Sequence, residues 1–176
     1  MNNRSNKILD ELLVLHAQDG DNKSLELLVK RWHKKLVGYC YKQTNDLEAS
    51  KDLVQESWQA IIKGIKSLKD PAKFRIWAFR IVHNKVISWI RERQKERILE
   101  QEVVQEIEYS MGEEPDFGPI RRAIDKLPNE QKTILTFFYQ HNYSLKEISE
   151  ILNINVGTVK SRLYHARQKV KKYYNA

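Results

Sequence analysis

Between Val156 and Tyr174 the chain carries six Lys or Arg residues and no acid, interleaved with hydroxyl, phenol and imidazole groups. Groups of these types donate hydrogen bonds to phosphates and to base edges, so their chemistry is recognition of a polyanion rather than bond making. At about 100° per residue, Gly157, Ser161, Tyr164 and Gln168 share one face of a helix, with Lys160 and His165 at its edges. Val159, Leu163, Ala166 and Val170 recur at i, i+4, i+7 and i+11 and form the opposite, apolar stripe. No metal-ligand spacing, Gly-rich phosphate loop or nucleophile–base pair accompanies them, and the five His residues are scattered. No cofactor is expected, and an enzyme acting on nucleic acid is the weakest functional reading.

Such a helix needs an element to aim it, and the residues before it supply one. Ser144 and Glu147 stand at N-cap and N3 of a preceding helix, the spacing of a capping box. Ile148, Ile151 and Leu152 give that helix a narrow apolar stripe. Asn153 sits where the chain must reverse and tolerates the left-handed conformation; Asn155 is placed to cap the basic helix. Helix, short turn and one-sided basic helix together predict a helix-turn-helix that enters the major groove of duplex DNA. A solvated basic helix on a helical domain is the blander alternative, and the agreement of cap, turn residue and charge weighs against it.

The rest of the 176-residue chain fits one large or two small domains. Gly and Pro number ten together and no alternating strand pattern stands out, so the fold class is all-α. The net charge of +8 is unevenly spread: residues 1–97 hold 20 basic and 12 acidic groups, residues 98–118 none and seven, and residues 119–176 eleven and four. Two basic modules flank an acidic connector, and basic modules call for a polyanionic partner. Cys40 is the only cysteine, which excludes an intrachain disulfide and a cysteine zinc cluster; it falls on an apolar stripe as a core residue. No signal-peptide run and no apolar stretch long enough for a membrane span is found, so a cytoplasmic protein without membrane insertion is expected.

Four helices are predicted before the connector, over about Asn6–Gln18, Asn22–Lys42, a third starting after the Thr44-Asn45-Asp46 turn, and Pro71–Arg97. Asn45 and Glu48 are placed as cap and N3 of the third, which is expected to bury Leu47, Val54, Trp58, Ile61, Ile62 and Ile65. Its other face shows Asp52, Gln55, Glu56 and Gln59. That face is either solvated or meets a basic protein surface. The fourth helix has Phe74, Trp77, Ala78, Ile81, Val82 and Val86 as core candidates, with many cations between them. Phe79 and Trp89 lie off the main stripe and are open between core packing and stacking on single-stranded bases.

Two segments together resemble a family. DLEASKDLVQESW (Asp46–Trp58) and FRIWAFRIVHNKVISWIR (Phe74–Arg91) resemble the second region of bacterial RNA polymerase sigma factors of the sigma-70 family. Ile120–Val170, with its Leu127-Pro128 entry and TVKSRL helix, resembles their fourth region. With no third region between them, the chain is similar to the small extracytoplasmic-function (ECF) group. The resemblance implies two small helical domains, each of four helices: a region 2 domain over 1–97 and a region 4 domain over 119–176, joined by an acidic linker over 98–118.

It also implies partners and sites. Asp52, Gln55 and Glu56 match positions that dock on the clamp helices of the polymerase's largest subunit, Gln59 joins them from the same face, and the flap of the second-largest subunit is a further expected contact. The loop Ser67–Lys73, which holds Lys69, Asp70 and Lys73, with Asn84 nearby, matches the element that captures an extruded base of single-stranded −10 promoter DNA, and a pocket with cationic neighbours such as Lys73, Arg75 and Arg80 is physically sensible there because extrusion costs a few kcal/mol. Lys160, Ser161, Arg162 and His165 match the helix that reads the duplex −35 element, the helical wheel adds Tyr164, and Thr158 at the start of the same helix is included as a candidate. An anti-sigma factor is the expected regulatory partner. The pattern departs at Ser88, where the family usually has Asp, at Ala78 for Leu, and at Asn153 for a turn Gly. The implied function is promoter selection and help in melting; the alternative is a free-standing helix-turn-helix regulator whose N-terminal module dimerises or senses a ligand.

Overall fold

The computed structural model describes residues 3–100 and 118–174, and every described element is helical. The helices are α1 (Asn3–Gln18), α2 (Asn22–Thr44), α3 (Leu47–Gly64), α4 (Phe74–Glu100), α5 (Gly118–Asp125), α6 (Asn129–Leu135), α7 (Leu145–Leu152) and α8 (Val156–Tyr174). Two 3₁₀ turns, Ile65–Ser67 and Pro71–Lys73, join α3 to α4, and a π-turn over Thr136–Gln140 ends α6. The chain divides into two compact units, with the division falling inside α4 at Arg91. Most of the acidic connector, residues 101–117, lies outside the described residues.

In the first unit each helix is stopped or started by a specific residue. Gly20 takes φ +98 between α1 and α2, a conformation open to glycine because it lacks a Cβ. Asp21 then caps α2, accepting from the Lys23 and Ser24 amides at 3.0 and 3.2 Å. The hydrogen bond from the Ser24 hydroxyl, together with these amide bonds, holds the Asp21 carboxyl below its ordinary pKa. The turn into α3 differs from expectation by one residue. Asn45 closes α2 in the left-handed region, at φ 53, and it is Asp46 that caps α3 by accepting from the Ala49 amide at 3.0 Å. A left-handed residue is needed at the C-terminus of α2, and Asn suits it best, which leaves the extended cap position to Asp46.

Edge-on aromatic contacts form the centre of this unit. Trp32 meets Phe74 and Phe79 at 6.2 Å each, and Tyr39 meets Phe79 at 5.5 Å and 90°. Phe79 is therefore a core residue, fully buried, and is unavailable for stacking on bases. Trp77 and Ile81 are only half-buried. On α3, Leu53 and Val54 are buried, whereas Leu47 and Ile62, expected inside, are exposed. The apolar stripe of α3 is narrower than its composition suggests, because α2 covers one side of it only. Trp77 packs against Gly64, where an added Cβ would come within 3.0 Å of the indole.

Tyr39 and His83 tie α2 to α4 through a 2.7 Å contact between the phenol oxygen and Nδ1. Burial pushes the Tyr39 pKa well above its ordinary value and lowers that of His83 to about 4, so both groups are neutral at pH 7. Cys40, on the same stretch of α2, is buried, and burial raises its thiol to about 12, which leaves it an inert core side chain.

The second unit is built on the apolar stripe of α8. Val159, Leu163 and Ala166 are buried and Val170 half-buried, while α5, α6 and α7 contribute Ala123, Ile134 and Ile148 to the interior. The π-turn lets Phe137 point inward against Tyr143, with ring centroids 5.8 Å apart. Ser144 accepts from the Glu147 amide at 3.2 Å and Glu147 accepts from the Ser144 amide at 2.8 Å, completing the capping box of α7. Asn153 ends α7 at φ 53, ψ 46.

Candidate nucleic-acid interface

α7, the Asn153 turn and α8 form the expected helix-turn-helix. With Val159, Leu163 and Ala166 turned inward, helical geometry leaves Gly157, Lys160, Ser161, Tyr164, His165 and Gln168 outside, and all six are exposed. Nothing lies within 4 Å of a Cβ built on Gly157, so the start of α8 presents bare backbone to an incoming surface. The Tyr164 and His165 rings meet edge-on at 5.5 Å, which limits the rotamers of both. The Ser161 hydroxyl donates back to the Thr158 carbonyl at 3.1 Å, and Thr158 itself is half-buried.

Arg162 is placed differently from its neighbours. It is half-buried, and its Nη2 lies 2.8 Å from Oε2 of Glu130 on α6. The guanidinium is thus oriented from outside the helix-turn-helix, by a residue that sequence reasoning did not single out. Glu130 lies in the first turn of α6, where an acid reads simply as a helix-dipole partner. Arg167 is likewise held: its Nε donates to the Tyr139 hydroxyl at 2.8 Å and its guanidinium stacks on Phe138, 5.2 Å from the ring centre.

On the first unit the candidate residues form two faces. Asp52, Gln55, Glu56 and Gln59 are all exposed on α3, back to back with buried Leu53, Val54, Ser57 and Trp58. Glu56 is partly neutralised by Lys85 of α4, whose Nζ lies 2.7 Å from its Oε2. Asp52 forms no ion pair among the described residues, so it is the uncompensated acid of this face.

The second face comprises the α3–α4 junction and one side of α4. Lys69, Asp70 and Lys73 are exposed there. Asp70 has a structural task as well, accepting from the Ala72 amide at 3.1 Å to start the Pro71–Lys73 turn. α4 begins at Phe74 rather than at Pro71, because Pro71–Lys73 closes as a separate 3₁₀ turn. Trp77, Arg80 and Asn84 follow at i, i+3 and i+7, which places a half-buried ring beside an exposed cation and an exposed amide. A single strand needs that combination: a π-face for a base, a cation for a phosphate, an amide for a base edge. Arg75 is half-buried, its guanidinium 5.9 Å from the Trp32 ring centre.

A residue outside these sets positions the junction. The Gln18 side-chain amide, at the end of α1, donates to the carbonyls of Ile65 and Leu68, both at 2.8 Å. A terminal Gln on a helix gives no sequence signal for contacts 47 and 50 residues away. Among the described residues, no group of three His, Cys, Asp or Glu side chains is arranged to hold a metal ion. None of the described helices is long and apolar enough to cross a membrane.

Comparison with known proteins covers both units. The sigma-70 region 2 model matches residues 28–96, and the sigma-70 region 4 model matches residues 117–170. The chain is 29% identical over 174 residues to the ECF RNA polymerase sigma factor SigW of Bacillus subtilis (strain 168), spanning 90% of this chain and 93% of that one. It is 31% identical over 117 residues to the RNA polymerase sigma factor SigV of the same organism, spanning 65% and 69%. In fold it is similar to the sigma factor RpoE solved in complex with the anti-sigma factor NepR from Bartonella quintana. The TM-score is 0.74 at 18% identity, with 88% of this chain and 98% of that one covered.

Proposed function

The chain belongs to the ECF group of sigma-70 family RNA polymerase sigma factors, non-catalytic subunits that direct the polymerase to promoters, and on that premise we propose how its own residues divide the work. Residues 119–176 read the duplex −35 element through Lys160, Ser161, Tyr164 and His165, with Arg162 contributing from its position beside Glu130 and Thr158 steadying the start of α8. Residues 1–97 hold single-stranded −10 DNA on Lys69, Asp70, Lys73, Arg75, Arg80 and Asn84. Asp52, Gln55, Glu56 and Gln59 dock on the clamp helices of the polymerase's largest subunit, and the flap of the second-largest subunit takes residues 119–176. Residues 98–118 link the two. The observation that carries this division is that Asp52, Gln55, Glu56 and Gln59 on α3, and Lys160, Ser161, Tyr164 and His165 on α8, are exposed and set back to back with a buried stripe of the same helix.

An anti-sigma factor is a further proposed partner. The support is the likeness of fold to a sigma factor solved with one bound. It would act by covering the polymerase-docking or DNA-reading faces.

Purified protein added to sigma-free core polymerase is expected to start RNA synthesis at defined promoters, and mapping the starts gives both elements. Reversing the charge at Asp52 and Glu56 is expected to weaken core binding while leaving the −35 face intact. Tight binding to a DNA site by the protein alone, with no initiation by core polymerase, would instead favour a free-standing regulator.

A further inference from the structure

We propose that Lys35 on α2, with Arg31 and Arg75 beside it, is a phosphate-binding site for single-stranded promoter DNA, extending the α3–α4 face onto α2. The inference rests on the reading of that face given above. Lys35 Nζ lies 4.3 Å from the centre of the Trp32 ring, and the Arg75 guanidinium lies 5.9 Å from the same ring. Cation–π contacts hold both cations over the indole. Arg31 is one helical turn before Lys35, and its Nε is bonded at 2.8 Å to Oδ1 of buried Asp10.

The charges around Lys35 are out of balance. The groups that act on its ammonium are Asp10, which favours the charge, and Arg31 and Arg75, which oppose it. Asp10 is already bonded to Arg31, whose Nη2 also donates to Asn6 at 3.3 Å. Burial and then these two guanidinium groups lower the Lys35 pKa from its ordinary value, with Asp10 acting the other way. Lys35 makes no ion pair among the described residues. Lys35 itself is thus an exposed cation held over a ring beside two guanidinium groups, and a phosphodiester presents two oxygens that ammonium and guanidinium groups bind.

Position argues for the single strand rather than for another anion. Trp32 meets Phe74 edge-on at 6.2 Å, and Phe74 stands between Lys73 and Arg75 in the chain. Arg75, one of the residues assigned to the α3–α4 face, lies over the same ring as Lys35. A strand bound by Arg75 therefore meets Lys35 over the same ring. Trp32 is buried, 4% exposed, so it is a platform for cations and not a stacking surface.

The test uses holoenzyme reconstituted from core polymerase and the full chain, with a KCl titration of binding to a single-stranded oligonucleotide carrying the non-template −10 sequence of a mapped promoter. Lys35→Gln is expected to lower the salt slope by about 0.7, the value for one phosphate on a single strand, and to weaken binding, with core affinity and thermal midpoint unchanged. Lys35→Arg is expected to restore the slope. Asn84→Ala reports on the underlying reading and is expected to weaken binding without changing the slope. If Asn84→Ala weakens binding while Lys35→Gln changes neither slope nor affinity, the phosphate site is overturned and the α4 face stands. If neither variant has an effect, the single-strand reading of the face fails. If Lys35→Gln weakens core binding alone, the site's anion is an acidic protein surface, and the DNA assignment is overturned.

Discussion

Lys160 and Arg162 stand two residues apart on α8, carry the same charge, and face different surroundings. Lys160 is exposed, whereas Arg162 is half-buried with Glu130 at 2.8 Å. An arginine has five N–H donors in a fixed fork, so Glu130 can hold one edge and leave the other for the duplex on the proposed −35 reading. The carboxylate also offsets part of the charge that duplex DNA would meet. Lys160→Ala is therefore expected to reduce the salt slope of promoter binding by about 0.9, the value for one phosphate on a duplex, and Arg162→Ala by less. Glu130→Gln is expected to tighten binding and steepen the slope, with stability changed by no more than about 1 kcal/mol, the range for an exposed pair. Fluorescence anisotropy of holoenzyme on a −35 duplex across a salt series checks all three; weaker binding by Glu130→Gln would mean that its role is to aim Arg162 rather than to restrain it. The exposure of Lys160 was legible from its angle on a predicted helix. The tether on Arg162 was not, because it depends on how α6 packs against α8, and no periodicity within either helix encodes that.

Elements were legible where a local rule decides them. Ser144 with Glu147 and the reversal at Asn153 are contained within a few residues, and both stand as read. The α2–α3 turn was misread by one position because Asn45 and Asp46 are both cap formers, and which takes which role depends on the left-handed closure of α2. Phe79 was ambiguous on a single helical wheel, because α4 is covered on more than one side; the Trp32 and Tyr39 rings that enclose it come from α2. The π-turn after α6 has no sequence signature at all. The packing of α2 on α4 also has a consequence in acid. His83 has its pKa lowered to about 4 from an ordinary 6.5, so the unfolded chain binds one more proton than the folded one between those values. This group's contribution to stability is present in full above about pH 6.5 and declines as pH falls towards 4. All four tryptophans, Trp32, Trp58, Trp77 and Trp89, lie in the first unit, so their fluorescence follows that unit during urea unfolding of the intact protein. The unfolding midpoint is expected to fall across that window, and His83→Gln is expected to flatten the dependence. An equal fall in the variant would assign it to other groups.

For the whole molecule, the sequence pattern of basic, acidic and basic segments bears on how tightly the free protein holds DNA. Residues 98–118 carry seven acids and no Lys or Arg, between segments with 20 basic to 12 acidic and 11 basic to four acidic groups. A segment tethered to both units is present around each at an effective concentration in the millimolar range, without any specific contact being required. It is therefore expected to compete with phosphates for the basic segments. In holoenzyme the competition is removed if the polymerase takes up the acidic segment, and the two units then bind one promoter through two modest contacts. Replacing Glu100, Glu102, Glu106, Glu108, Glu113, Glu114 and Asp116 by their amides is expected to raise the affinity of the free protein for duplex DNA several-fold at low salt. The gain should shrink as ionic strength rises, because charges more than about 10 Å apart are screened at 0.1 M. Promoter binding by holoenzyme should gain little from the same replacement. A free protein whose affinity is unmoved by it would remove the acidic segment from the account.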